Sequence, residues 1–305
     1  MTHLAVDICG LRLKNPTMLA SGVLDETGKS MAAVARAGAG ALVTKSIGRE
    51  PRPGHGNPSV VELPFGLLNA MGLPNPGIDL FSEELREAKK SGVPIIGSVF
   101  GGTEDELADL ATMMEKAGAD AVELNLSCPH AKGLGAEIGS TPELVESICR
   151  AAKKKVRVPL WAKLTPNTSS IAALAQAAER GGADAVVAIN TLKGMSISPE
   201  VRMPILANRV GGLSGAAIRP VGVRCVYEIF EAVKLPIIGV GGISSGRDAL
   251  EYVMAGASAV QIGTALWTEG PVVFNKVCKE LLKFMEDNGY ETVMDMVGVA
   301  HDARS

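Results

Sequence analysis

Short apolar runs recur along the chain, and each ends in small or polar residues. Runs of this length, apolar on both faces and rich in Val and Ile, are typical of parallel strands covered by helices. Helical patterns with Asp, Ser or Thr at several starts and Gly at several ends lie between them, for example at 104–118, 141–155 and 169–182. The eight predicted strands span 17–22, 41–46, 94–101, 121–127, 160–165, 185–191, 236–242 and 259–265.

A helix–turn–strand segment repeats four times, as RAGAGALVT (36–44), KAGADAVEL (116–124), RGGADAVVA (180–188) and MAGASAVQI (254–262). Together with eight strands, this repeat predicts a (β/α)8 TIM barrel that forms a single domain over residues 1–305. A doubly wound open sheet is the alternative. That fold favours one Gly-rich turn early in the chain, whereas here polar residues end nearly all the runs.

Two further segments extend the predicted barrel. The N-terminal LAVDICGLRLKNP alternates around a Cys-Gly pair, which predicts a β-hairpin that closes the barrel floor. Residues 47–78 are rich in Pro and Gly and mostly uncharged, which predicts an inserted, structured active-site loop.

Composition excludes several classes of function. The 305 residues carry a net charge of −3 without a basic or acidic block, so neither nucleic acid nor an anionic membrane surface is an expected partner. The N-terminus lacks the pattern of a signal peptide, and no apolar run reaches the roughly 18 residues of a membrane span. Five scattered cysteines without a C-x-x-C pair disfavour disulfides and a metal site and favour the reduced cytoplasm.

The active sites of such barrels form at the C-terminal ends of the strands. The reactive side chains found there are Ser21, Lys45, Ser46, Asn125, Ser127, Cys128, Lys163, Asn190 and Thr191. The segment NLSCPH (125–130) suggests a metal site, a packing or disulfide-bonded cysteine, or a catalytic loop. Cys128 follows a strand end and precedes Pro, which favours catalysis. Cys9, Cys149, Cys225 and Cys278 are interpreted as packing residues.

Lys45 and Lys163 lie inside otherwise apolar strands, where an unpaired ammonium is strongly disfavoured. A salt bridge to an acid is one explanation. Because Glu123 is the one acid within the eight runs, a bound anion is the preferred explanation. The asparagines at strand and loop ends either cap turns or bind a ligand. His3, His55 and His301 have no evident partners in the sequence and are expected at the surface.

Gly-rich turns follow the last strands, in GVGG (239–242), IGT (262–264) and GGLSG (211–215). Backbone N–H groups there would hold a phosphate, at the usual phosphate site of these barrels. A ligand with one phosphate and a flat apolar ring fits, which predicts flavin mononucleotide (FMN). The sequence has neither a Walker motif nor a dinucleotide fingerprint for ATP or NAD.

In these motifs the chain resembles class 1 dihydroorotate dehydrogenase, most closely the NAD-linked 1B catalytic subunit. The resemblance covers most of the chain. It is carried by NAMGLPNPG (69–77), ELNLSCP (123–129), AKLTPN (162–167), INTLKG (189–194), RMPILANRVGGLSG (202–215) and the segment from GVGGI (239–243) to GASAVQIGTA (256–265).

The resemblance implies a role for each motif residue. Cys128 is the implied catalytic base. The flavin would be held by Ser21, Lys45, Ser46, Asn125, Lys163, Ile189, Gly215, Gly241, Gly242, Gly263 and Thr264. Dihydroorotate would be held by Lys45, Asn69, Ala70, Met71, Gly72, Leu73, Asn125, Asn190 and Thr191.

The resemblance also implies partners. Class 1B enzymes form homodimers joined by a subunit that carries FAD and a [2Fe-2S] cluster and passes electrons to NAD. The alternative is class 1A, a homodimer that uses fumarate. Class 2, membrane-attached and quinone-using, has Ser at the Cys128 position and an apolar N-terminal extension, and it is disfavoured.

The substrate has an alternative as well. His130 stands where most class 1 enzymes have Asn, and the Cys-Pro-His segment is similar to the flavin domain of dihydropyrimidine dehydrogenase, which reduces uracil and thymine. NAMGLPNPG favours dihydroorotate, because a carboxylate needs that loop. Two further alternatives are a barrel isomerase or aldolase for sugar phosphates, with Lys163 in its site, and a non-catalytic flavin-binding module.

Overall fold

The computed structural model describes residues 2–127 and 139–302. The expectations for Cys128 and His130 therefore lie outside the described residues. The strands in these ranges are β1 (Val6–Ile8), β2 (Leu11–Leu13), β3 (Thr17–Leu19), β4 (Ala41–Val43), β5 (Val60–Leu63), β6 (Gly66–Asn69), β7 (Ile95–Val99), β8 (Ala121–Asn125), β9 (Leu160–Lys163), β10 (Ala185–Ala188), β11 (Leu192–Gly194), β12 (Ile197–Ser198), β13 (Met203–Pro204), β14 (Gly211–Ser214), β15 (Ile237–Val240) and β16 (Ala259–Ile262).

The helices in the same ranges follow the predicted alternation with the strands. They are α1 (Gly28–Arg36), α2 (Ile78–Lys89), α3 (Glu104–Ala117), α4 (Pro142–Lys153), α5 (Ile171–Arg180), α6 (Arg219–Ala232), α7 (Gly246–Met254), α8 (Ala265–Glu269), α9 (Val273–Asn288) and α10 (Val299–Asp302). No helix among the described residues is both long enough and apolar enough to cross a bilayer.

Eight parallel strands close into a barrel in the order β10-β15-β16-β3-β4-β7-β8-β9. These are the eight strands predicted from the apolar runs, so the (β/α)8 fold is confirmed. Each predicted run continues past the last residue of its strand, because the chain leaves the ladder there and turns into a loop above the barrel. β7 and β10 are buried along their whole length, which explains why they lack polar alternation.

The helices cover the barrel with one apolar face each. In α4 the buried residues Val145, Ile148, Cys149 and Ala152 recur at helical spacing. The Thr141 side chain accepts a hydrogen bond from the Leu144 amide and caps the first turn of this helix. Burial raises the pKa of the Cys149 thiol to about 12, in agreement with its prediction as a packing residue.

The N-terminal hairpin closes the floor of the barrel, as predicted. β1 and β2 pair antiparallel, with Val6 opposite Leu13. In the turn between them, the Cys9 thiol donates to the Asp184 carbonyl over 3.2 Å. Asp184 immediately precedes β10, so the hairpin lies at the N-terminal ends of the strands, opposite the expected active site.

A four-stranded antiparallel sheet, in the order β11-β14-β6-β5, was not predicted. It joins the 47–78 segment to the insertion that follows β10. A Cβ at Gly66 would overlap the Ser214 carbonyl oxygen, so a glycine is required for β6 and β14 to approach this closely. The short, Gly-containing strands gave no alternating apolar pattern from which the sheet could be recognised.

Candidate active site

A cavity of about 610 Å³ lies between the C-terminal ends of the barrel strands and the four-stranded sheet. This volume is typical of a small-molecule site. Every candidate ligand-binding residue named above that falls within the described ranges lines it: Ser21, Lys45, Ser46, Asn69, Ala70, Met71, Gly72, Leu73, Asn125, Lys163, Ile189, Asn190, Thr191, Gly215, Gly241, Gly242, Gly263 and Thr264. The loop over 47–78 thus contributes to the cavity, as expected for an active-site loop.

Lys163 ends β9 and is 5% exposed. Its ammonium donates to Gln261 Oε1 over 3.0 Å and lies 3.4 Å from a carboxylate oxygen of Glu123. Glu123 is fully buried on the neighbouring strand β8. A carboxylate therefore compensates the charge of this lysine within the protein, and Lys163 also lines the cavity.

Lys45 also has a carboxylate partner, because its ammonium lies 3.1 Å from Glu26 Oε1. Glu26 belongs to the loop after β3, outside the apolar runs in which acids were sought. The premise that acidic partners were scarce is therefore wrong for both lysines. Explaining their burial does not require a bound anion, and the evidence for a ligand is their position in the cavity wall.

The glycine-rich turns converge at one end of the cavity. Gly215, Gly241 and Gly242 have positive φ angles of 95°, 133° and 67°. A Cβ at Gly242 would lie 2.6 Å from the Gly215 carbonyl oxygen, so the turns after β14 and β15 approach too closely for any other residue. The Thr264 hydroxyl bonds Ser214 Oγ over 2.8 Å and ties the turn after β16 to the same end.

The shape of this glycine cradle is held from behind by Tyr252 of α7. Its buried hydroxyl donates to the carbonyl oxygens of Gly241 at 2.7 Å and Val240 at 3.3 Å. Burial raises the pKa of this phenol, which remains a hydrogen-bond donor at physiological pH. The end of β15 is thereby fixed.

The asparagine side chains gather at the other end of the cavity. Asn125 Nδ2 donates to Ser46 Oγ over 3.1 Å, and Asn190 Nδ2 donates to Asn125 Oδ1 over 3.3 Å. Asn190 Oδ1 accepts from the Thr191 amide at 2.7 Å, and Asn69 Nδ2 donates to the Gly212 carbonyl. These residues do bond backbone groups, as turn-capping residues would, but they also share one wall of the cavity.

Several cavity residues were missed in the sequence. Asn167, at the end of AKLTPN, donates to the Thr191 carbonyl over 3.1 Å and accepts from the Lys193 amide over 2.8 Å, so it holds the loop after β10. The motif contained this residue, but spacing alone gave it no role. Lys193, Asn208 and Trp267 also line the cavity.

Two histidines contradict the surface expectation. The His55 amide donates to the Met71 carbonyl, and its ring Nδ1 lies 3.2 Å from the Ala70 carbonyl, against the NAMGL loop. His301 stacks on Tyr227 with ring centroids 3.7 Å apart. No local pattern marked either residue, because both sets of contacts are distant in sequence. Within the described ranges, His, Cys, Asp and Glu side chains form no cluster that could hold a metal ion.

The fold and the cavity define a (β/α)8-barrel protein with a ligand site at the C-terminal ends of its strands, walled by glycine turns on one side and amide side chains on the other. The chain belongs to the dihydroorotate dehydrogenase family, whose sequence model matches residues 3–285. The family resemblance inferred from the motifs is confirmed.

Three relatives show how closely the chain follows this family. The protein from Thermoplasma acidophilum is 55% identical over 300 residues, which cover 98% of this chain and 99% of the relative. Those from Methanosarcina mazei and Methanocaldococcus jannaschii are 53% and 50% identical, over 99% and 98% of this chain and 96% and 98% of theirs. Each is named dihydroorotate dehydrogenase B (NAD(+)), catalytic subunit.

Proposed function

We propose that this protein oxidises dihydroorotate to orotate in pyrimidine biosynthesis, with FMN and substrate bound side by side in the cavity. The observation that carries this proposal is the convergence of a buried lysine, a glycine cradle and an asparagine cluster around one space. The family and the three relatives named above support the same reaction.

The residues present fit FMN. The turns at Gly215 and Gly242 pack against each other and line one end of the cavity, and helix α6 begins beside them, so backbone N–H groups would hold the phosphate. Lys163 ends β9 and lines the same cavity, where it would meet the polar edge of the flavin ring. When bound, the flavin accepts the hydride from C6 of dihydroorotate.

The chain's own residues supply binding and proton removal. The amides of Asn69, Asn125 and Asn190 carry both donors and acceptors, which match the amide-like edges of the pyrimidine ring. Backbone N–H groups of the Ala70–Leu73 loop would bind the substrate carboxylate, and Lys45 would contact both ligands. Cys128 would take the proton from C5 as the thiolate, which is the form in which a cysteine acts as a base.

A single spectroscopic experiment tests the reaction. The purified chain is expected to be yellow, and anaerobic dihydroorotate is expected to bleach its flavin absorbance. A colourless chain that binds no FMN would instead favour the sugar-phosphate isomerase or aldolase alternative. Replacing Cys128 by Ala is expected to retain the flavin and abolish bleaching, whereas unchanged turnover would remove Cys128 from the role of base. A wild-type chain that binds FMN but is not bleached by dihydroorotate would instead favour the non-catalytic flavin-binding module.

Because Cys128 is followed by Pro129-His130 in the sequence, the pyrimidine alternative has its own arm of the experiment. We expect dihydrouracil and dihydrothymine to leave the flavin spectrum unchanged under the conditions in which dihydroorotate bleaches it. Bleaching by dihydrouracil alone would transfer the substrate assignment to the uracil and thymine class.

The proposed electron acceptor is NAD, reached through a separate subunit that carries FAD and a [2Fe-2S] cluster. The support is that the relatives are named dihydroorotate dehydrogenase B (NAD(+)), catalytic subunit. A homodimer of this chain, joined by two such subunits into a heterotetramer, is the proposed assembly. Co-purification tests it, and a lone dimer that reduces fumarate and ignores NAD would support the class 1A alternative.

A further inference from the structure

A hydrogen-bonded network of polar side chains fills the upper part of the barrel, where apolar layers are the usual filling. Its centre is Glu123, which is fully buried. Gln261 Nε2 donates to Glu123 Oε2 over 2.8 Å. β8 and β16, which carry these two residues, stand on opposite sides of the closed barrel, so this bond crosses its interior.

Three donors converge on the Glu123 carboxylate. Besides Gln261, these are the Lys163 ammonium at 3.4 Å and the Ser98 hydroxyl at 3.4 Å. Lys163 also donates to Gln261 Oε1, so the lysine, the glutamine and the carboxylate close a ring of contacts. The ammonium thus makes one hydrogen bond, to Gln261, and one ion pair, with Glu123, while Lys163 also lines the cavity.

A second branch runs from the same carboxylate to the asparagine cluster. Either hydroxyl could donate in the 2.9 Å contact between Ser98 and Ser46. Because the Ser98 hydroxyl lies 3.4 Å from Glu123, which can only accept, we assign the Ser98 hydrogen to Glu123 and take Ser46 as the donor to Ser98. The Ser46 oxygen then accepts from Asn125 Nδ2. With this assignment, each donor along the branch donates to the residue that is one step closer to Glu123.

The backbone requires the same direction at the far end of this branch. Asn125 Oδ1 accepts from the Ser127 amide over 3.2 Å, and Asn190 Oδ1 accepts from the Thr191 amide. Because these amides can only donate, the Nδ2 group of Asn125 must face Ser46, and that of Asn190 must face Asn125. Each Nδ2 group keeps a second hydrogen for the cavity.

We propose that Glu123 is a positioning residue that acts as the common terminal acceptor for both halves of the active site. Through Gln261 and Lys163 it orients the donor that meets the flavin, and through Ser98 and Ser46 it orients the amides that meet the pyrimidine. The wall between them consequently presents N–H donors, which select ligands with carbonyl oxygens or ring nitrogens facing it. This inference rests on the proposed function.

A glutamine at position 123 would keep the shape but lose this property. Its side chain has one acceptor oxygen and a donor amide, whereas three donors need acceptors at this point. At least one donor would be left without an acceptor in the barrel interior, which costs free energy of folding. The cost is larger if that donor is the charged Lys163 ammonium. Both branches would then lose their fixed orientation.

The test separates the branches by single substitutions. Ser98→Ala cuts the substrate branch alone, and Gln261→Met cuts the flavin branch alone. We expect Ser98→Ala to raise the Kd of orotate for the FMN-loaded protein by about tenfold and to raise the Kd of FMN for the apoprotein clearly less, since Ser46 and Asn125 are also candidate flavin contacts. Gln261→Met should do the reverse, and Glu123→Gln should raise both constants by about tenfold or more.

Thr44→Val is the matched control. The Thr44 hydroxyl is buried and accepts from the Ser98 amide, but it does not belong to either branch. Its loss should lower the melting temperature and leave both dissociation constants unchanged. If Ser98→Ala affects orotate and FMN equally, or no more than Thr44→Val does, the branch assignment is wrong. A wild-type chain that binds no FMN would instead refute the proposed function.

Discussion

Asp25 is a buried carboxyl group whose ionisation should cost stability. It lies in the loop between β3 and α1, fully buried, and one carboxyl oxygen accepts from the Gly22 amide. Among the described residues, the other oxygen has no hydrogen-bond partner. Burial raises the pKa of Asp25 from 3.8 to about 6, although the Lys45 charge and the Gly22 hydrogen bond oppose the rise.

The pKa of Asp25 is higher in the folded chain than in the unfolded chain, so between these values the folded chain binds more protons. The contribution of Asp25 to stability is then fully present below pH 3.8 and is lost as the pH rises through about 6. A tenfold change in proton affinity corresponds to about 1.4 kcal/mol, so the rise from 3.8 to about 6 corresponds to about 3 kcal/mol. This cost is complete at pH 7.5.

Asp25→Asn removes the charge and keeps an oxygen for the Gly22 amide. We expect the variant to be more stable than wild type at pH 7.5 by up to about 3 kcal/mol, or roughly 5 °C in melting temperature, and indistinguishable from it near pH 3.5. The measurement is the melting temperature of both proteins across this pH range at one fixed FMN concentration.

Asp248→Asn supplies a control of opposite sign. Burial raises the pKa of Asp248, but hydrogen bonds from Ser244 and Ser245 and the charge of Arg219 outweigh it and leave the pKa below its usual value. Its stabilising effect is present at neutral pH and is lost as the pH falls, so this variant should be less stable than wild type at pH 7.5. If the difference in melting temperature between Asp25→Asn and wild type is the same from pH 3.5 to 7.5, the burial argument for Asp25 is refuted.

Three further predictions test the cradle and the core. Gly242→Ala should reduce FMN affinity at least about tenfold because its Cβ meets a carbonyl oxygen, whereas Gly289→Ala, with a similar φ but open space around it, should retain FMN in the absorption spectrum. Tyr252→Phe should lower stability by about 1–2 kcal/mol in thermal unfolding, because it leaves the Gly241 carbonyl without its donor. Cys149, with its raised pKa, should resist maleimide at pH 7 in folded protein and react after unfolding, as mass spectrometry of labelled peptides would show.

The barrel could be predicted because its signal is local. A strand such as Ile95–Val99 is buried on both faces, so its apolar run is continuous and its length is visible in the sequence. Because the C-terminal ends of the parallel strands all lie on one face of a barrel, side chains at strand ends, such as Asn125 and Lys163, could be assigned to that face from the sequence. The four-stranded sheet could not be predicted in this way, since its pairing joins residues as distant as Leu67 and Ser214.

The salt bridges of the two lysines were considered but disfavoured, for a different physical reason. Few acids lie within the predicted strands, which made a salt bridge look improbable. However, one carboxylate inside a closed barrel can contact side chains on neighbouring strands and on the strand opposite. Glu123 on β8 meets Lys163 on β9 and Gln261 on β16, although 138 residues separate it from Gln261. Closing the barrel makes these residues neighbours. Glu123 is recognisable as the one acid within the apolar runs, but nothing in the sequence indicates which residues face it across the barrel. A polar residue that points into a barrel therefore needs a polar partner on another strand. Gln261, in the apolar run of β16, was the residue in the sequence that could have indicated such a partner for Glu123.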